Sequence, residues 1–185
     1  MIPTKIALLT DSSADLRWEE ARENNIFFVP LRILCQDGEY LDGVDIRGQD
    51  IYQRLRSGEL PQTSLPRVED FSAKLHEIFD LGYDGVIAVM LSSGLSGTYN
   101  LARIVAEEGN AQGYQMRVLD SLSGALGQGM TVLQLAEDIK NGMGWEELTE
   151  RRVPQLIQNT YPFFTLDTLE YLQKGGRIGK VTGRA

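Results

Sequence analysis

An apolar run, Gly85-Val86-Ile87-Ala88-Val89-Met90-Leu91, passes directly into Ser92-Ser93-Gly94-Leu95-Ser96-Gly97-Thr98-Tyr99 and then into an amphipathic helical pattern. A short, continuous apolar run of this kind reads as a strand buried on both faces, and the glycines and serines after it as a turn. Strand, hydroxyl-rich turn and helix in that order build an anion seat. N–H groups and hydroxyls gather at the positive end of a helix dipole, where a carboxylate or phosphate is held without a basic side chain.

The same unit recurs along the chain. Lys5 to Thr10 reads as a buried strand, and Asp11-Ser12-Ser13-Ala14-Asp15-Leu16 supplies turn and N-cap residues for a helix to about Asn24. Met116 to Leu119 reads as a third strand, ending at Asp120-Ser121 and leading through Gly124, Gly127 and Gly129 into a helix to about Asn141. Between these units, residues 26–45 suggest two short strands joined at Asp37-Gly38, followed by a short helix over 51–57. Thr63-Ser64-Leu65-Pro66 reads as a rigid hydroxyl-bearing loop, because Pro66 pushes Leu65 toward an extended conformation. Helices are predicted over 68–81 and 145–156, the former stopped by Gly82.

Strands alternating with helices at this spacing predict an α/β fold with a parallel or mixed sheet flanked by helices on both faces. Ligands of such sheets bind beyond the carboxyl ends of the strands, and the hydroxyl-rich turns at Ser12, Ser93 and Ser121 all fall there. Tyr161-Pro162-Phe163-Phe164 breaks the pattern. The expected organisation is an amino-terminal α/β domain over 1–158 and the incomplete start of a second α/β domain over 159–185.

Composition narrows the function. A formal net charge of -8 without a concentrated Lys/Arg face argues against a nucleic-acid partner. No apolar run approaches the ~20 residues of a membrane span, and the amino terminus leads straight into a strand, so a cytoplasmic protein is expected. The single cysteine, Cys35, excludes an internal disulfide and reads as a small buried hydrophobe in a strand.

Catalytic motifs fail on inspection. Gly94-Leu95-Ser96-Gly97-Thr98 misses the last glycine of a nucleophile elbow, and the one histidine, His76, has no partner for a triad. Lys174 to Val181 lacks the first glycine and final hydroxyl of a phosphate loop, and Gly124 to Gly129 does not space as a dinucleotide fingerprint. Asp11, Asp15, Asp42, Asp45 and Asp120 are the carboxylates near turns, and capping or turn duty accounts for them better than metal binding. Thr63, Ser64, Ser93, Ser96 and Thr98 remain as neutral donors on two loops. Such groups transfer protons poorly near neutral pH, so the chemistry is holding rather than reacting. An enzyme acting on a small anionic metabolite at the same turn is the alternative.

Thr10-Asp11-Ser12, Val29-Pro30-Leu31, Asp42-Gly43, Thr63-Ser64-Leu65-Pro66, Ser92 to Tyr99, Asp120-Ser121 and Tyr171-Leu172-Gln173-Lys174-Gly175-Gly176-Arg177-Ile178 together resemble the DegV family. The long hydroxyl turn and the Tyr-Leu-x-Lys-Gly-Gly-Arg-Ile segment are its specific marks. The resemblance implies a bacterial protein that binds a long-chain fatty acid in an apolar tunnel between two α/β domains, without catalytic residues, metal or cofactor of its own. It implies Thr63 and Ser93 as the principal carboxylate ligands, with Ser64, Gly94, Ser96 and Thr98 completing the loops. Asp11, Ser12, Ser121 and Arg177 are secondary candidates. Some members present the bound acid to a separate kinase protein, which makes the acyl phosphate for phospholipid synthesis. Members continue well beyond the Gly-Gly-Arg-Ile segment, so apolar surface left exposed here is expected to favour dimerisation.

Overall fold

The computed structural model describes residues 2–163 and 165–178. Four strands, β1 (Ile6–Asp11), β2 (Ile26–Val29), β6 (Gly85–Met90) and β7 (Met116–Asp120), form a parallel sheet in the order β2-β1-β6-β7. Every residue of β1 and β6 is buried, as their unbroken apolar runs predict. Successive side chains point to opposite faces. Ile6, Leu8, Ile87 and Val89 therefore meet one helical layer, while Ala7, Leu9, Val86, Ala88 and Met90 meet the other. The first layer is α1 (Trp18–Glu23) and α5 (Ala125–Lys140), through Ala21, Val132 and Leu135. The second is α3 (Val68–Asp80) and α4 (Thr98–Ala111), through Phe71, Leu75, Ile78, Ala102 and Val105.

The middle of the chain departs from the reading of its sequence. Residues 26–45 form three strands rather than two: β2 joins the parallel sheet, while β3 (Arg32–Cys35) and β4 (Gly38–Leu41) make a hairpin. The segment read as a loop contains a further strand, β5 (Gln62–Ser64), paired antiparallel to β3 with Ile33 opposite Thr63 and Arg32 opposite Ser64. That pairing joins residues some thirty positions apart, which no local pattern encodes. A small antiparallel sheet, β4-β3-β5, results. Helix α2 (Gly48–Arg56) lies between β4 and β5 in the chain.

Two helices also differ in form. The turn after β1 is a short 3-10 segment, Ser12–Ala14, closed by Asp15 at φ 58°, and α1 starts only at Trp18. The helical stretch near the end of the described chain runs as α6 (Trp145–Glu147), a π turn over Leu148–Arg152, and α7 (Val153–Gln158). Pro154 lacks the N–H that a regular helix requires, and the ladder is widened just before it. A last helix, α8 (Glu170–Lys174), leads to Arg177. Phe164 and residues 179–185 lie outside the described residues.

Helix α5 crosses the turn after β1 so closely that a Cβ added at Gly129 falls 2.3 Å from the Ala14 carbonyl oxygen. Alanine is the better helix former by up to about 1 kcal/mol, but a backbone atom cannot step aside. Gly129→Ala is expected to destabilise the protein by about 1–3 kcal/mol, read as a lower urea midpoint at unchanged slope.

Candidate functional site

The order in which strands join the parallel sheet reverses between β1 and β6. The chain leaves β1 for β2 on one side, and the next strand to join, β6, lies on the other. The connections diverge at this point and leave a crevice beyond the carboxyl ends of the two strands. Both turns singled out in the sequence, Asp11 to Asp15 and Ser92 to Tyr99, open into it.

Asp11 ties those turns together. Its carboxylate, fully buried, accepts the Leu91 N–H at 2.7 Å through one oxygen and the Ser13 N–H at 3.0 Å through the other. Behind it, buried Gln128 from α5 donates to Thr10 Oγ1 at 2.9 Å and accepts from Ser13 Oγ at 3.1 Å. Thr10 Oγ1 donates in turn to the Val89 carbonyl at 2.7 Å. Buried polar groups cost little only when all are paired, and this network pairs them across β1, β6 and α5. Thr10 stands in the Thr10-Asp11-Ser12 motif, but Gln128 was not singled out in the sequence, where a Gln inside an apolar helical stripe was the available signal.

The hydroxyl turn is braced by its own amides. Ser93 N–H donates to Asp120 Oδ1 at 3.2 Å, Gly94 N–H to Ser92 Oγ at 3.3 Å, and Thr98 N–H to Ser96 Oγ at 3.2 Å. Leu95 and Ser96 N–H both donate to the Ser92 carbonyl. The amides of Ser93, Gly94, Leu95, Ser96 and Thr98 are thus already engaged within the turn and its neighbour. Thr98 is fully buried, with Oγ1 hydrogen-bonded to Ser96 Oγ at 2.8 Å, so it steadies Ser96 instead of facing the crevice. Ser93 and Gly94 sit on the exposed tip of the turn.

The small sheet delivers the second loop. Thr63 and Ser64, on β5, are exposed and line a cavity of about 600 Å³ together with Ser13, Leu31, Ser96, Gly97 and Arg177. Arg177 reaches back over this cavity, donating to Thr63 Oγ1 at 3.3 Å and to the Gly175 carbonyl at 2.6 Å. A second cavity of about 430 Å³ adjoins it at Thr63, walled by Ile51, Leu55, Leu60, Pro61, Tyr171 and Leu172, with Gln62 and Lys174 also in its lining. Thr63, Leu172 and Arg177 border both spaces. Each volume is within the usual range of ligand pockets. Both spaces have largely apolar walls, the first including Leu31, Leu65, Leu91 and Leu95, and the hydroxyls and Arg177 gather where the two meet at Thr63.

Other candidate residues have structural duties. Ser12 Oγ accepts the Leu31 N–H at 3.0 Å. Ser121 Oγ is buried and closes its own turn by donating to the Ser123 carbonyl at 3.0 Å. Asp15 occupies a left-handed turn position, Asp45 accepts the Leu41 N–H, and Asp120 accepts the amides of Ser93 and Leu122. Burial pushes the Asp42 carboxyl above its usual value, with the Ser12 hydroxyl pulling the other way. His76 is exposed on α3. Cys35 is only half-buried, and burial raises its thiol further from ionisation. Cys35, Asp37 and Glu59 converge, but Arg54 already spans both carboxylates at 2.8 and 3.1 Å.

Comparison with known proteins places this geometry among relatives. The family model described as an uncharacterised protein, DegV family, matches residues 5–184. A DegV domain-containing protein of Clostridium perfringens is 41% identical over 97% of this chain and 62% of its own. A solved structure described as showing fatty acid binding by a DegV family protein of Thermus thermophilus superposes with a TM-score of 0.87 at 32% identity, covering 97% of this chain and 62% of that one. A stearic acid-binding protein of Eubacterium ventriosum gives 0.82 at 28% identity, covering 95% and 61%. The chain spans a little under two thirds of the length of these relatives.

Two variants check the framework. Asp11→Asn sets an NH2 against one of two backbone N–H groups that both need an acceptor, and is expected to cost about 1–3 kcal/mol in chemical denaturation. Asp70, on α3, holds the small sheet through Arg32 of β3 at 2.5 Å and accepts the Arg67 N–H at 3.0 Å. Burial alone acts to raise its carboxyl, but these hydrogen bonds outweigh it and hold the group below the usual 3.8. Its stabilisation is therefore present above that value and lost as pH falls through the lower folded one. Thermal melts from pH 7 to 2 are expected to show Asp70→Asn less stable at neutral pH, with the gap to wild type closing below about pH 4.

Proposed function

The chain belongs to the DegV family, and from that premise we propose that it binds a long-chain fatty acid, head group toward Thr63 and the hydroxyl turn, hydrocarbon along the apolar walls of the adjoining cavities. The observation that carries this reading is the junction at Thr63. Two cavities with largely apolar walls meet at this side chain, and the hydroxyls of Thr63, Ser64 and Ser96 gather there beside the Arg177 cation. An amphiphile with an acidic end matches polar groups clustered in an otherwise apolar lining. Solved relatives described as fatty-acid-binding supply independent support.

Physical magnitudes favour an acyl chain over a small anion. Burying about 14 to 16 methylenes contributes on the order of 0.8 kcal/mol each before ordering costs, so the tail can supply the affinity. The head needs only to be oriented and neutralised. Thr63, Ser64, Ser96 and Arg177 are suited to that work at the cavity itself, with Ser93 and Gly94 on the exposed tip of the same turn as Ser96. Thr98 acts through Ser96. Because Thr63, Ser64, Ser93 and Gly94 are all exposed, a carboxylate held among them stays open to a second protein. Presentation to a separate kinase, which would place a phosphoryl group on that carboxylate, fits such an open end.

Mass spectrometry of ligand extracted from natively purified protein tests the reading. A long-chain fatty acid is the expected find; a polar metabolite that the protein turns over would overturn it. After delipidation, titration with a fluorescent fatty acid is expected to show Thr63→Val and Ser96→Ala each weakening binding about three- to tenfold, the loss of roughly one hydrogen bond.

A further inference from the structure

The cavity beside Thr63 holds one polar group whose bonding sets it apart from the rest. Ser13, in the turn after β1, lines that space together with Thr63, Ser64, Ser96 and Arg177. Its main-chain N–H and its hydroxyl both donate to the carboxylate of the fully buried Asp11. Its Oγ also lies 3.1 Å from Gln128 Oε1. Both neighbours are acceptors, so the single Ser13 hydroxyl proton is committed to them. Gln128 turns its own donor elsewhere, with Nε2 on Thr10 Oγ1 at 2.9 Å and on the Val89 carbonyl at 3.4 Å. What Ser13 keeps for the cavity is lone pairs, and among the described residues nothing donates to them.

The other polar groups of the lining have the opposite character. Arg177 only donates. Thr63 Oγ1 accepts from Arg177 at 3.3 Å, which leaves its own proton to give, and Ser64 brings a further hydroxyl. Donors suit a carboxylate, whose oxygens only accept. Ser13 does not, because a carboxylate oxygen set against it meets lone pairs. Turning the Ser13 hydroxyl toward a ligand takes a donor away from the buried Asp11 charge, which is the costlier loss.

We propose that Ser13 is a specificity-determining residue that accepts a hydrogen bond from the ligand, and that the preferred ligand is a long-chain acid with a hydroxyl on its second or third carbon. This rests on the fatty-acid reading of the same cavity. With the carboxylate among Thr63, Ser64 and Arg177, a hydroxyl one or two carbons along the chain supplies the donor that a plain acid lacks. An acid bound in its neutral form would also bring an O–H, but the Arg177 cation beside Thr63 favours the ionised head. A site with an acceptor aimed at a ligand hydroxyl discriminates against the analogue that lacks it.

Displacement of a fluorescent fatty acid from the delipidated chain compares hexadecanoate, its derivatives hydroxylated at the second or the third carbon, and the methyl ether of each. One of the two hydroxy acids is expected to bind at least about fivefold more tightly than hexadecanoate, the gain of one neutral hydrogen bond. Its methyl ether, which keeps the oxygen and loses the proton, should lose that gain. Ser13→Ala should bring the hydroxy and plain acids to parity, with a melting curve to confirm that the variant is folded; the ether comparison on the wild-type chain needs no variant at all. Equal binding of hydroxy and plain acids, an ether as tight as its parent, or a preference that survives Ser13→Ala each overturns the proposal and leaves fatty acid binding standing. Binding of none of these acids overturns the fatty-acid reading and this inference with it.

Discussion

One buried carboxylate, Asp11, holds the crevice in shape. It stands where the connections from β1 and β6 part, and it accepts a main-chain N–H from each side of the gap. A buried carboxylate is tolerated only when its lone pairs are met, and two amides with the Ser13 hydroxyl meet them here. Gln128 extends the same bonding to Thr10 and to the Val89 carbonyl, so α5, β1 and β6 share one polar seam under the crevice. The serine turn begins at Leu91, the residue this seam fixes.

The second half of the site arrives by another route. Thr63 and Ser64 are carried on β5, which exists because β3 pairs with it. The small sheet is in turn clamped to α3 through Arg32, whose guanidinium bonds Glu39 on β4 and Asp70 on α3. Arg177 closes the far side by reaching Thr63 from the segment after α8. Three separate pieces of chain thus converge on one chamber, two held away from it through Asp11 and Arg32 and the third by Arg177 at its wall.

Much of this is legible in the sequence, where the signal is local. The unbroken apolar runs of β1 and β6 require burial on both faces, and the parallel sheet follows. The helices after them show their apolar faces at helical spacing, and Gly82 ends α3 at φ +80° as its position suggested. The cluster of hydroxyls at Thr63, Ser64, Ser93, Ser96 and Thr98 on two loops is visible in the sequence, whereas the ligand roles of these residues and of Arg177 rest on the resemblance to the DegV family. By contrast, β5 was hidden, since Gln62-Thr63-Ser64 is too short and too polar to announce a strand and depends on a partner some thirty residues away. The fate of the turn's amides was equally hidden. Whether Ser93 N–H meets a ligand or Asp120 depends on where β7 ends relative to β6.

By itself the sequence determined which segments must be buried and which residue types stand at their ends, because apolar periodicity and turn chemistry act over a few neighbouring residues. Tertiary structure alone decided which donors stay free, which strand completes the small sheet, and that Arg177 stands against Thr63. Those outcomes turn on hydrogen bonds between residues that are distant along the chain, and only the packed fold brings their atoms within reach.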